Sequence, residues 1–171
     1  MALTHDEIGV VAGRWLRSRH RCKVVLVNLR TQQTREQPDA IGWPPKGWSV
    51  LVEVKVARSD FLADRKKRHR GANEGMGQER WMVTPPGLVM LEEVPPGWGL
   101  AECRGKGAYK IYIIKMAERS RLNRTRTRKA PRLAKIAAKE QPYLVGALNK
   151  IACGYDHKLY EAMGIDYGTE D

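Results

Sequence analysis

Residues 49–56 read Ser49-Val50-Leu51-Val52-Glu53-Val54-Lys55-Val56. The run is rich in β-branched residues and reads as a central β-strand. Side chains alternate between faces along a strand, so Val50, Val52, Val54 and Val56 share one apolar face. Leu51, Glu53 and Lys55 share the other. The strand is too hydrophobic to lie at the surface, yet it carries a carboxylate and an ammonium two residues apart. Burying such charges is costly unless they are paired or bind a metal. Upstream, Gln37-Pro38-Asp39-Ala40-Ile41-Gly42-Trp43 places a second carboxylate at the start of another short apolar run.

Outward from this strand the chain alternates between the two periods of regular structure. Thr4-His5-Asp6-Glu7 fits a capping box, with Thr4 as N-cap and Glu7 three residues on. Ile8, Val11, Ala12, Trp15 and Leu16 then follow at helical spacing, predicting a helix to about Arg19. Arg14, Arg17, Arg19, His20 and Arg21 make its far end positive, which suits the helix dipole and also a phosphate. Strands are expected over Cys22–Val27, Asp39–Trp43, Trp48–Val56, Arg80–Thr84, Leu88–Leu91, Gly99–Cys103 and Tyr109–Ile114. The turns Pro44-Pro45-Lys46-Gly47, Pro85-Pro86-Gly87 and Pro95-Pro96-Gly97 punctuate them. Ser59 is the expected N-cap of a second helix, running through Phe61 to about Arg68. Asp60 reads there as a first-turn residue favoured by the dipole. The result is an α/β fold with a mixed central sheet.

The chain of 171 residues suffices for one domain with a real core and some additions. Lys and Arg number 31 against 19 Asp and Glu, a formal net charge of +12, and the pI is near 9.9. Such an excess attracts polyanions, nucleic acid foremost; a merely soluble basic protein is the bland alternative. Cys22, Cys103 and Cys153 lack metal-ligand spacing and read as reduced core thiols of a cytoplasmic protein. No apolar run approaches a membrane span, and the N-terminus lacks a signal-peptide core. Residues 1–115 read as the main domain and 116–171 as a basic linker with a C-terminal helical arm. From Arg119 to Lys135, eight residues are basic and none is acidic. Helices are expected after Pro131 and from Pro142 to about Lys150.

Hydrolysis of a phosphodiester needs an activated water and stabilisation of charge on the phosphoryl oxygens. A divalent ion does both. Oxygen ligands suit Mg²⁺ or Mn²⁺, and one or two carboxylates plus waters suffice for Mg²⁺. Asp39 and Glu53 on neighbouring strands can converge on one ion. Lys55, on the face of Glu53, would then sit beside the attacking water. Its roles remain open: orienting the water, favouring hydroxide, or stabilising the transition state. Solvated cross-strand ion pairs are the structural alternative for Glu53 and Lys55, and a turn role for Asp39.

Pro38-Asp39, a gap of 13 residues, then Glu53-Val54-Lys55 resembles the signature of the PD-(D/E)XK nuclease superfamily. The order helix, three strands, helix, strand matches that superfamily's restriction-endonuclease-like αβββαβ core, with the C-terminal helices appended. More closely, the string from Val52 to Lys67 resembles MmcB-type endonucleases and related phage proteins, as do Gly75 to Leu88 and Pro95 to Leu100. The likeness covers about residues 5 to 105. It implies a DNA-related role, metal ligation by Asp39, Glu53 and the Val54 carbonyl, and catalysis by Asp39, Glu53 and Lys55. Superfamily members often carry further polar groups at the site; Glu7, Ser59, Gln78 and Arg80 are the accessory candidates.

For DNA contact the candidates are Arg65, Lys66, Lys67, Arg121, Arg124, Arg126, Arg128 and Lys129. The expectation is a Mg²⁺- or Mn²⁺-dependent DNA endonuclease, phage-encoded or serving repair or recombination. Cutting two strands would favour a homodimer. The alternatives are a non-catalytic nucleic-acid-binding module on the same fold, and a component of a larger packaging or replication assembly docked through the C-terminal helices.

Overall fold

The computed structural model of the chain describes residues 3–30, 32, 34, 36–45, 48–64, 75–106, 108–118 and 136–151. Helix α1 (His5–Arg19) opens on the expected capping box. The Thr4 hydroxyl accepts the Glu7 N–H, and the Glu7 carboxylate accepts the Thr4 N–H at 2.8 Å. These bonds satisfy backbone donors that a helix start otherwise leaves open. Ile8, Ala12, Trp15 and Leu16 are buried on the inner face.

The strands are β1 (Val24–Val27), β2 (Ala40–Trp43), β3 (Val50–Val54), β4 (Glu79–Thr84), β5 (Gly99–Arg104) and β6 (Lys110–Lys115). They form one six-stranded sheet in the order of the chain. β3, β4 and β5 run parallel; β1, β2 and β6 join antiparallel. The fold is therefore α/β with a mixed sheet. Helix α2 (Arg58–Asp64) lies in the crossover from β3 to β4. The crossover from β4 to β5 holds a single 3-10 turn, Leu91–Glu93. The strand expected over Leu88–Leu91 is thus corrected. A parallel connection must leave the sheet, and the flanking proline pairs turn the chain out and back.

Strand alternation divides the core in two. Val50, Val52 and Val54 pack with Trp81, Val83 and α1 on one face. Leu51 joins Ile41, Met82, Leu100, Phe61 and Trp98 on the other. Gly99 lets Trp81 lie across β5, since a Cβ there would come within 2.4 Å of the indole ring. Cys22 and Cys103 are buried free thiols, and burial pushes Cys22 up to about 11.

Three local expectations change. α2 starts at Arg58, with the Phe61 N–H bonded to the Ala57 carbonyl at 3.2 Å. Ser59 is an exposed residue of the first turn, not the cap. Residues 136–151 form one helix, α3, through Pro142, rather than a second helix starting there. α3 is also built into the core more closely than an appended arm. Tyr143 is fully buried among the residues of the second face and donates to the Leu29 carbonyl at 2.8 Å. The buried Glu140 accepts from the Ser49 hydroxyl, from the Gly77 N–H at 3.0 Å and from the Trp43 indole N–H at 3.1 Å.

Removing that acceptor strands three donors in or near the core. Glu140→Ala is expected to lower unfolding stability by about 2 kcal/mol in urea denaturation, within one cooperative transition. No change, or a separate early transition, would show that α3 is not part of the main core.

Candidate active site

The pairing of Ala40 with Val52 and of Ile41 with Leu51 carries Asp39 opposite Glu53 on one face of the sheet. The Asp39 Oδ2 accepts the Val54 N–H at 2.7 Å. The N–H and C=O of a strand residue point to the same neighbour. The Val54 carbonyl is therefore directed toward the Asp39 side as well. From α1, His5 Nε2 reaches to 3.3 Å from Asp39 Oδ1. From α3, Tyr143 lies close enough that the Asp39 charge, after burial, helps to push its phenol up.

Lys55 Nζ lies 3.7 Å from Glu53 Oε2, 3.7 Å from Asp60 Oδ2 and 3.8 Å from Asp64 Oδ1. These separations exceed hydrogen-bond range. The ammonium stands between three carboxylates. Lys55, Glu53 and Asp64 are buried, whereas the Asp60 side chain is 48% exposed and opens the cluster to solvent.

Among the described residues, Asp39, Glu53, Asp60 and Asp64 gather around the Lys55 ammonium and His5. Burial, and next the Glu53 charge, raise the Asp39 carboxyl above its ordinary value. The Val54 N–H, His5 and Lys55 pull the other way without reversing it. Such a site favours an added cation. Among the described residues no group of three or more His, Cys, Asp or Glu is arranged to hold a metal. The donors present are two carboxylates and a directed carbonyl. That set fits Mg²⁺, which keeps several waters and takes few protein oxygens.

The accessory candidates separate from this cluster. Glu7 is exposed and engaged in the capping box. Ser59 is exposed on α2. Gln78 and Arg80 sit at the wrong end of the sheet. β4 runs parallel to β3, so its start adjoins Val50 and Leu51 while the carboxylates lie at the end of β3. Arg80 Nε donates to the Met76 and Gly77 carbonyls at 2.7 and 3.3 Å. Arg65, Lys66, Lys67, Arg121, Arg124, Arg126, Arg128 and Lys129 lie outside the described residues.

In their place the structure brings His5, Asp60, Asp64 and Thr84 to the site. Asp60 and Asp64, four residues apart on α2, share a helix face that meets Lys55. That spacing was readable in the sequence. Thr84 follows Val83, whose carbonyl accepts the Lys55 N–H at 3.0 Å. Its Oγ1 is buried with no hydrogen-bond partner among the described residues.

No family model matches the chain, and no curated protein matches it. Among solved structures it is similar to the SPO1766 protein of unknown function from Silicibacter pomeroyi. The identity is 20% and the TM-score 0.59, over 92% of this chain and 96% of the other. At that identity the likeness is one of fold.

The raised Asp39 carboxyl has a stability consequence. An acid raised on folding binds its proton more tightly in the native state. The stability that Asp39 lends is full below its ordinary value of 3.8 and is lost as pH rises through the folded value. In EDTA, Asp39→Asn should melt higher than wild type at pH 7, and the gap should close toward pH 3. Thermal melts across this range check it. A gap independent of pH would contradict it.

Proposed function

We propose that the chain is a divalent-metal-dependent DNA endonuclease of the PD-(D/E)XK type. The observation that carries this reading is the meeting of Asp39 and Glu53 on one sheet face, with the Lys55 ammonium 3.7 Å from Glu53. The element order α1-β1-β2-β3-α2-β4 agrees with it, and so does the net charge of +12. A bound Mg²⁺ or Mn²⁺ would polarise the phosphoryl oxygen and lower the pKa of a coordinated water.

The chain's own groups have definable tasks in that chemistry. Asp39, Glu53 and the Val54 carbonyl would hold the ion. A water oxygen would attack phosphorus as the bond to the leaving oxygen breaks; the water gives up one proton and the leaving oxygen takes up one, so the step balances. Lys55 faces the attacking water and the charge gathering on the phosphoryl oxygens. Its partners on α2 matter here. With a cation at Glu53, Asp60 and Asp64 would still hold the ammonium in place. Buried apolar residues around Glu53 lower the local dielectric and strengthen each of these interactions.

Asp39→Ala, Glu53→Ala and Lys55→Ala should each slow Mg²⁺- or Mn²⁺-dependent nicking of supercoiled plasmid by at least about 100-fold. Circular dichroism should show the fold retained, and gel shifts should show DNA still bound. Nicking that survives both carboxylate substitutions would overturn the assignment. The caging of Lys55 by three carboxylates also suits a non-catalytic nucleic-acid-binding module, in which the charges are simply paired. DNA retarded without nicking under any divalent ion is the result that module predicts.

A further inference from the structure

The C-terminal end of α1 carries Arg17, Arg19, His20 and Arg21, which the proposed chemistry does not use. Beside them lies a cavity of about 600 Å³ lined by Arg17, His20, Arg21, Lys23, Pro44 and Trp48, among others. That volume is in the range of small-molecule sites. No carboxylate lines it among the described residues. A second cavity, of about 230 Å³, shares His20, Arg21 and Trp48 and adds Arg19 and Glu79. Glu79 is already engaged by the Trp81 indole N–H at 2.8 Å and by His20 Nδ1 at 3.5 Å. Arg17, Arg21 and Lys23 thus line the cavity with no carboxylate beside them among the described residues. The carbonyl end of the helix disfavours an anion only modestly, and several cations outweigh it.

The backbone at Arg21 gives a second, independent indication. Arg21 follows the C-cap His20 and has φ 55°. This left-handed position after a helix is the one glycine fills at least cost. An arginine there is strained, and strained residues cluster at ligand sites. Closing the helix does not require the guanidinium; glycine would suffice. The apolar wall supplies the other half of a recognition site. Trp48 is half-buried and Pro44 is buried. An indole face stacks on any nucleobase.

We infer that this cavity binds the base-and-phosphate unit of a nucleotide. The base lies against Trp48 and Pro44, and the phosphate among Arg17, Arg21 and Lys23. The unit is either a free nucleotide or part of a nucleic-acid strand. The site is separate from the candidate active site. His5 at the start of α1 touches Asp39, and 15 residues of helix place the cavity about 22 Å away. The inference does not depend on nuclease activity.

The test uses the full chain in EDTA, titrated with 5′-deoxyadenosine monophosphate, with inorganic phosphate and with a short single-stranded deoxyadenosine oligonucleotide. Tryptophan fluorescence and calorimetry provide the readouts. The nucleotide should bind more tightly than phosphate and quench fluorescence, and Trp48→Ala should abolish that preference. Arg21→Gly should weaken binding at least tenfold while leaving the melting temperature unchanged or raised. An oligonucleotide bound more tightly than the mononucleotide identifies the strand as the source; equal affinity identifies the free nucleotide. Absence of nucleotide binding overturns the inference. So does Arg21→Gly with wild-type affinity, or a joint loss of affinity and stability, or phosphate bound as tightly as the nucleotide.

Discussion

The hydrogen bond from the Val54 N–H to the Asp39 carboxylate, 2.7 Å long, ties the start of β2 to the end of β3. β2 begins at Ala40, so the ladder gives Val54 no backbone acceptor from a paired β2 residue. The side chain of Asp39 fills that role. This bond fixes Asp39 across from Glu53 and aims the Val54 carbonyl to the same side. An aspartate that only terminated a turn would have no reason to lie in the register of a buried strand. The chemistry available at this end of the sheet follows from that one constraint together with the period of two along β3.

The helices add the remaining groups. α1 delivers His5 to Asp39; α2 delivers Asp60 and Asp64 to Lys55; α3 places Tyr143 near Asp39. The valine face of β3 is covered by α1, which holds the strand rigid from behind. The opposite face is apolar toward the start of β3, around Leu51, and charged toward its end, at Glu53 and Lys55. Burial and the Glu53 charge raise the Asp39 carboxyl, so ionising it works against folding stability. A site that costs the fold something and sits on rigid strands has the character of a functional site.

Much of this was legible from local pattern. The alternation through residues 50–55 placed valines and charges on opposite faces, and the structure keeps that division. The capping box at Thr4 and Glu7 told the start of α1, while Glu7 still stood as an accessory candidate until the structure showed it exposed and held in that box. What local pattern could not convey was strand direction. β4 lies parallel to β3, so Thr84 rather than Gln78 or Arg80 neighbours Lys55. Contacts across long stretches of chain were equally hidden. Nothing near Tyr143 or Glu140 announces Leu29, Trp43 or Ser49 as partners. Proline at 142 suggested a helix start, yet packing on both sides of it keeps α3 continuous. The proline-bounded run at Leu88–Leu91 imitated a strand because hydrophobicity alone does not separate a sheet from a crossover that packs against it.

The proposed chemistry requires Asp39 and Glu53 together to form a cation site. Crystals grown with Mn²⁺ and measured at the manganese edge test it most directly. An anomalous peak is expected between the two carboxylates, within reach of the Val54 carbonyl, with Lys55 held by Asp60 and Asp64. Crystals with the ion bound elsewhere, or with Lys55 still seated among Glu53, Asp60 and Asp64 at saturating Mn²⁺ and no peak, would contradict it.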